Sequence, residues 1–360
     1  MARILYVAYP LLQVHTESAG GAEQILWTLE REMARRGAHT TVAASAASRV
    51  SGELFSTGEP CTQPDDYERR RVEHEDRVVE FVQRRAREGK EFDLIHDHSG
   101  SFWKRAAEID APVLATLHLP RSFYPEGSFD DVPANVRFNC VSESQARTFA
   151  DMEALSGMVP NGISLDLFDA AGDVAMDNGR NGLLWVGRIC EEKAPHLALE
   201  IAAHSGLPIT IAGQVYPFSY HKQYFEREVA PRLRAMPNAR FISAPPAELK
   251  RRLLREAQAV LITSLAEETS SLVAMEAAAC GTPVIAFRKG ALAEVVRDGL
   301  TGHLVEDVAQ AVSALRQLGN IGSEACMQHA RENFSAARMA ERYSDLYSHL
   351  TQREAHVQSA

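Results

Sequence analysis

The sequence predicts an α/β protein of two domains, each built on a parallel sheet. Three observations carry this. At 360 residues the chain is long enough for two domains that each bury a full core. Short, continuously apolar and partly β-branched runs, such as Ala259-Val260-Leu261-Ile262-Thr263, suit strands buried on both faces of a parallel sheet. Such runs are followed by loops and then helix-forming stretches. After Thr263 come a polar loop and the helix formers Leu272, Val273, Met275, Ala277, Ala278 and Ala279; Gly281 then falls where a left-handed cap belongs, and Pro283 forbids continuation.

Composition narrows the function classes. Hydrophobic residues make up 45% and charged residues 24%, as in an ordinary globular protein. The formal charge of −10, with acids exceeding bases in both halves, argues against nucleic acid, which rewards a basic footprint. The most basic stretch, Glu68-Arg69-Arg70-Arg71-Val72 through Arg84-Arg85-Ala86-Arg87, interleaves acids with bases and reads as a solvated helix face, not a membrane-binding one. Five cysteines, at 61, 140, 190, 280 and 326, lie far apart without metal spacing and read as reduced thiols. Arg3-Ile4-Leu5-Tyr6-Val7-Ala8 is too short for a signal segment, and no apolar run is long enough to span a bilayer, so the expected location is cytoplasmic.

In chain order, Ile4–Ala8 reads as the first strand, and the loop Tyr9–Ala19 carries Gly20-Gly21-Ala22-Glu23 into a helix with Ile25, Leu26, Leu29 and Met33 on one face. Glycines at such a turn let backbone N–H groups approach an anion, or merely make the turn tight. No Gly-x-Gly-x-x-Gly occurs, which counts against a dinucleotide dehydrogenase. Thr40–Ser45 reads as a second strand, Ala46–Asp66 as irregular, and the charged helix runs to about Gly89. Phe92-Asp93-Leu94-Ile95-His96-Asp97-His98 ends another strand, with His96 and His98 on one face; no third ligand at metal spacing is evident. Pro112–Leu117 is a buried strand presenting His118 at its carboxyl end, a position more often structural than catalytic. The loop Arg121–Asp131, with Phe123 and Tyr124, is aromatic and polar, a composition that suits a surface loop. Asn139–Ser144 reads as a strand followed by a helix cap, and Asp169–Asn181 as a linker.

The second domain opens with the strand Leu183–Ile189, then Glu191-Glu192-Lys193 and a helix through Leu197, Leu199 and Ile201. Arg188 and Lys193 make a sensible diphosphate clamp, a planar fork and a mobile point charge. Pro208–Gly213 and Arg240–Ser243 are further strands, Tyr216–Arg234 is a helical segment, and Val308–Leu318 is a helix. The loop Glu267-Glu268-Thr269-Ser270-Ser271 leaves the sheet at the carboxyl end of a strand and enters a helix N-terminus, where open α/β sheets bind ligands and phosphate is welcome. Carboxylates repel phosphate there. Glu268 and Glu276 are therefore either surface acids or acceptors of hydrogen bonds from sugar hydroxyls.

Glu268 and Glu276 with seven residues between them, then Cys280-Gly281-Thr282-Pro283-Val284-Ile285-Ala286, Gly290, Glu294-Val295-Val296 and Gly299-Leu300-Thr301-Gly302, closely resemble the signature of family four of the nucleotide-sugar glycosyltransferases. Those are retaining enzymes of the GT-B fold, two Rossmann-like domains facing each other across a cleft with a C-terminal helix crossing back to the first. The resemblance implies an acceptor-binding domain at 1–168 with a crossover helix at about 335–360, and a donor-binding domain at 169–334. One departure stands out: the usual Gly-Phe-Gly after the first glutamate is Thr269-Ser270-Ser271 here.

The site residues follow from the resemblance. Gly20 and Gly21 correspond to the glycine-rich loop at the donor diphosphate; Gly187, Arg188, Lys193 and Gly213 to the second domain's diphosphate site; Glu268, Thr269, Ser270, Ser271 and Leu272 to the sugar and phosphate contacts; and Glu276 to the ribose hydroxyls. His98 and His118 line the cleft, with His118 at the transferred sugar, and Phe123 and Tyr124 are acceptor candidates. His118, Arg188, Lys193 and Glu268 are the expected catalytic set. No Asp-x-Asp occurs, in keeping with transfer that needs neither metal nor cofactor. The expected donor is UDP-glucose, with GDP-mannose second, and the acceptor a soluble small molecule or oligosaccharide. The competing readings are a non-catalytic sugar-nucleotide sensor and a phosphorylase of the same fold; the latter is disfavoured by the short chain. Oligomeric state is left open.

Overall fold

Ile4, Leu5, Tyr6 and Val7 are almost wholly shielded from solvent, which places their strand at the centre of a sheet and not at its rim. In the computed structural model, which describes residues 2–18, 20–61, 63–168 and 179–357, this strand is β1 (Arg3–Val7). It pairs in parallel with β2 (His39–Ala44) and β4 (Leu94–Asp97). With β3 (Glu53–Ser56), β5 (Val113–Thr116), β6 (Val136–Cys140) and β7 (Leu155–Met158) they form a seven-stranded parallel sheet of order β3-β2-β1-β4-β5-β6-β7.

Helices cover this sheet as the apolar spacing predicts. The helix Gly21–Arg35 buries Ile25, Leu26, Leu29 and Met33; fully burying such a side chain contributes about 1.5–3 kcal/mol. Against it packs the helix Ala336–Val357, where Arg36 Nη2 donates to the Ala337 carbonyl at 2.7 Å and Ser344 Oγ meets Met33 Sδ at 3.5 Å. Ser142 caps the helix Glu143–Thr148, its side chain accepting from Gln145 N, as its position after the strand suggests.

The chain leaves this unit after Gly162 and rejoins it at Ala336; Ile163–Ser335 forms a second unit of its own. Of the expected linker, residues 169–178 lie outside the described ones. The second sheet comprises β8 (Leu183–Arg188), β9 (Ile209–Gln214), β10 (Ala239–Ser243), β11 (Ala259–Ile262), β12 (Val284–Phe287) and β13 (Gly302–Val305), all parallel, in the order β10-β9-β8-β11-β12-β13. Both units are Rossmann-like. Gly281 has φ of +68° just beyond the helix Leu272–Ala279, the left-handed residue expected there.

Three local expectations change. The stretch 46–66 contains β3, whose burial runs exposed, half-buried, half-buried, exposed; an edge strand of four residues with two adjacent half-buried ones leaves no periodic signal. The segment after Tyr216 is helical as expected, from Ser219 to Ala235, but a π-helical Phe225–Val229 interrupts the α-helical pieces Ser219–Tyr224 and Ala230–Ala235, with Pro231 at the start of the last piece. The helix from Val308 ends at Leu315, and Leu318 begins a separate 3₁₀ turn. All five cysteines are free thiols.

Candidate functional site

In the second unit, the residues predicted for the donor come from the carboxyl ends of β8, β9 and β11 and the segments that follow β8 and β11. Gly187 and Gly213 are register partners on β8 and β9. Arg188 ends β8 with its side chain 42% exposed and Nη2 3.5 Å from Glu192 Oε1, a loose pair that leaves its planar fork available. Two residues of the following turn are held by the segment just after β11: Thr263 Oγ1 donates to the Ala194 carbonyl at 2.8 Å, and Leu265 N and Ser264 Oγ donate to the Glu192 carbonyl at 2.8 and 3.1 Å. Lys193 is thereby brought to Glu268, with Nζ 2.6 and 2.7 Å from the two carboxylate oxygens. Sequence spacing suggested neither this partnership nor its closeness. An ammonium has three donors, so the pairing leaves capacity for a further oxygen.

Ser271 caps the helix Leu272–Ala279, its Oγ accepting from Ala274 N, so the free N–H groups of the first turn face the loop Glu268–Ser271. Gly290, at φ of +54°, fixes the other side of that loop. A Cβ there would lie 2.3 Å from the Glu268 carbonyl oxygen, the same oxygen that accepts from Ala291 N at 2.7 Å. Glu276 is 3% exposed and does not face bulk solvent. Its Oε1 accepts from Lys250 Nζ at 2.7 Å, while its Oε2 and the Ser270 hydroxyl are buried with no hydrogen-bond partner among the described residues. Buried polar atoms in this state are rare and call for an outside partner. Nearby, Cys190, Glu192 and His221 bring one possible metal-ligand atom each to within 4.8 Å of one another.

In the first unit, Gly20 is the N-cap of the helix Gly21–Arg35, and a Cβ on it would stand 1.9 Å from Glu23 Oε2. Glu23 therefore folds back over the glycine turn, 4% exposed, and burial raises its carboxyl to about 7. Phe123 is exposed, whereas Tyr124 packs with Phe129 and Phe149 and belongs to the hydrophobic core margin.

His118 and His98 are brought together with His96 in one buried polar chain. His98 Nδ1 is 3.0 Å from His118 Nε2, and His98 Nε2 is 3.3 Å from His96 Nδ1. His96 Nδ1 also meets the Tyr347 hydroxyl at 2.6 Å, and His96 Nε2 meets Thr116 Oγ1 at 2.6 Å. Proton positions follow from the far end. Asn139 Nδ2 donates to the Cys140 carbonyl at 3.2 Å, which turns Asn139 Oδ1 towards Thr116, and Thr116 donates to it at 2.8 Å. Thr116 then has only lone pairs for His96, so His96 carries its proton on Nε2 and accepts at Nδ1. The Tyr347 hydroxyl, the nearer of the two groups at that nitrogen, donates to its one lone pair, and His98 and His118 continue the chain of contacts. Burial keeps all three imidazoles neutral, His118 down to about 4 and the other two well below the usual value.

Sequence reasoning missed Lys250, Glu23 and the two tyrosines Tyr343 and Tyr347. The Gly-Gly-Ala-Glu run made Glu23 findable as a first-turn acid. Lys250 lies 26 residues before Glu276 on another helix, with no spacing rule to join them.

Comparison with known proteins adds the lineage. A family model described as "Glycosyl transferases group 1" matches residues 171–332, and one described as "Glycosyltransferase Family 4" matches residues 19–167. Similar curated proteins are D-inositol 3-phosphate glycosyltransferases. That of Geodermatophilus obscurus is 34% identical over 194 residues, 48% of this chain and 43% of the relative. That of Corynebacterium efficiens is 26% identical over 410 aligned positions, 96% of this chain and 94% of the relative. The second such protein of Catenulispora acidiphila is 32% identical over 305 positions, 71% and 70%. Among solved structures, sucrose-phosphate synthase from Thermosynechococcus elongatus superposes with a TM-score of 0.76 at 19% identity, covering 98% of this chain and 100% of that one. Anabaena HepE in complex with UDP and glucose gives 0.74 at 16% identity, covering 97% and 100%.

Proposed function

The chain belongs to the group 1, family-four glycosyltransferases of GT-B fold, and on that premise we propose that it moves a hexose, with retention, from a nucleotide diphosphate sugar to a hydroxyl of a soluble small molecule or oligosaccharide. One observation supports this most: two cations, Arg188 and Lys193, stand with two inward carboxylates at the carboxyl edge of the second sheet. There, Glu276 Oε2 and Ser270 Oγ are buried without hydrogen-bond partners among the described residues. A nucleotide sugar has the complementary groups, anionic oxygens and hydroxyl donors.

In this reading Arg188 and Lys193, with the N-terminus of the helix Leu272–Ala279, take the diphosphate and stabilise the charge that grows on the leaving phosphate. Lys193 shares its ammonium between Glu268 and a phosphate oxygen. Glu268 holds the sugar hydroxyls, and Glu276 Oε2 accepts from a ribose hydroxyl. Gly20, Gly21, Gly187, Gly213, Thr269, Ser270, Ser271 and Leu272 contribute close backbone or hydroxyl contacts. His118, neutral, faces the sugar through its own hydrogen bonds and not as a cation, with His98 behind it. Phe123 is the better acceptor contact of the aromatic pair, because Tyr124 is spent on packing. Transfer proceeds on one face of the sugar, the leaving phosphate oxygen taking the acceptor's proton as the new glycosidic bond forms. No metal takes part in that step.

The donor is UDP-glucose first and GDP-mannose second. HepE, a structural neighbour, is seen with UDP and glucose, and the curated relatives are named for D-inositol 3-phosphate. The test is nucleoside diphosphate release from each donor in the presence of EDTA. Release that persists in EDTA and falls about 10²–10³-fold in Arg188→Ala and Lys193→Ala supports the reading. Tight donor binding without turnover means a sensor, and a trapped covalent glycosyl-enzyme overturns the one-face mechanism.

A further inference from the structure

We infer that Cys190, Glu192 and His221 form a binding site for a thiophilic divalent cation, zinc by preference, which staples the turn after β8 to the helix Ser219–Tyr224. Cys190 and Glu192 come from the turn, His221 from the helix, and their ligand atoms converge within 4.8 Å.

His221 is fully buried, and among the described residues neither of its ring nitrogens has a hydrogen-bond partner. The rings of Tyr216, Phe218 and Tyr220 surround it with centroids at 6.0, 5.6 and 4.2 Å. A buried imidazole with both nitrogens unsatisfied costs the fold the desolvation of those groups, unless something outside the protein meets a lone pair. A cation between His221, the thiol and the carboxylate does so.

Charge and softness suit the choice. Thiolate, imidazole and carboxylate are the mixed sulfur, nitrogen and oxygen set that zinc takes in tetrahedral sites, leaving one position open to water. Without the ion, the Cys190 thiol donates to the Arg188 carbonyl, with Sγ 3.5 Å from the oxygen. Binding replaces the thiol's proton, which leaves for solvent, by the metal. Thiolate and carboxylate together then balance a dication. The Arg188 charge, 3.5 Å from Glu192, is left over for an anion and is not cancelled. The Glu192 side chain is 26% exposed, which gives the ion a way in. The role is to brace the turn that carries Arg188 and Lys193, not to take part in transfer.

The experiment uses the full chain, stripped with EDTA, exchanged into metal-free buffer and titrated with Co²⁺. The expected result is a thiolate-to-cobalt absorption in the near ultraviolet with visible bands of four-coordinate intensity, saturating at one equivalent and displaced by Zn²⁺. Both features disappear in Cys190→Ser and in His221→Gln and persist in Cys61→Ser, which removes the most accessible thiol. X-ray absorption of the zinc-loaded native chain needs no variant. It is expected to show one sulfur at about 2.3 Å and nitrogen and oxygen at about 2.0–2.2 Å. Absence of the bands, their survival in Cys190→Ser, their loss in Cys61→Ser, or a zinc shell without sulfur overturns the site. None of these outcomes depends on donor turnover, so a failed metal site and a failed transferase reading are told apart.

Discussion

His98 Nδ1 lies 3.0 Å from His118 Nε2, and this contact is the last step of a hydrogen-bond chain that begins at a backbone carbonyl, Cys140 O, and passes through Asn139, Thr116 and His96. His118 is thus coupled to residues that do not touch it. Thr116→Val removes the acceptor for His96 Nε2–H and frees His96 to carry its proton on either nitrogen. The expected result is a mixture of His118 tautomers in nitrogen-15 spectra. With it comes a fall in kcat of about tenfold while the donor KM is unchanged, since an interaction felt only in the transition state moves kcat alone. A single unaltered tautomer in Thr116→Val would show that the chain does not set it.

The same burial makes stability depend on acid in a definite direction. His96 and His98 are held well below the ordinary imidazole value of 6.5, and His74 and His118 at about 4, so the unfolded chain binds protons before the fold does. Their contribution is complete above pH 6.5 and is lost as pH falls towards 4, by about 1.4 kcal/mol per pH unit for each histidine. Asp97, raised to about 6, and Glu23, raised to about 7, bind protons first in the fold and offset part of that loss. Denaturant melts between pH 7 and 4.5 are expected to give a slope shallower by about 1.4 kcal/mol per unit in His118→Asn than in the native chain. Equal slopes would mean that His118 titrates normally in the fold.

Lys250→Met leaves Glu276 buried with neither oxygen paired. The expected cost is about 3–5 kcal/mol, the usual penalty for orphaning one half of a buried ion pair. Lys250→Met combined with Glu276→Leu recovers most of it, because the pair as a whole contributes little net stability. Urea melts of the two variants read this directly. On the donor side, the single variant is expected to weaken nucleotide binding without a change in kcat.

Gly290→Ala puts a methyl carbon where the Glu268 carbonyl stands, at a left-handed backbone position. The left-handed penalty alone is about 1–2 kcal/mol for an L-residue, and the clash adds to it. A melting temperature lowered by several degrees and loss of donor binding are expected together, since the displaced carbonyl belongs to the residue that pairs with Lys193. Native donor affinity in the Gly290→Ala variant would mean that the Glu268 loop is not anchored from this side.

What the sequence revealed and what it hid divide along a physical line. Local periodicity and capping exposed β1, β8, β11 and the helix Leu272–Ala279, because each buries a continuous or one-sided apolar set. The strands β3 and β7, at the two edges of the first sheet, bury too little to leave such a pattern. The positions of Arg188, Lys193, Glu268 and Glu276 were readable as a motif, but their pairings were not. Lys193 meets Glu268 across 75 residues and Lys250 meets Glu276 across 26, and His96 reaches Tyr347 across 251. Contacts of that kind exist only once the sheets are assembled.

Tyr343 and Tyr347 complete the polar interior of the first unit from the helix Ala336–Val357, which follows the whole second unit in the chain. During synthesis, residues up to Gly162 must therefore wait with His96 and Asn139 incompletely partnered while about half the polypeptide is still being made and the second unit folds on its own. The amino-terminal unit is in this sense the last to be finished. A ribosome-stalled chain ending at Ser335 should expose its histidines to exchange with solvent, and release of the final helix should close them off.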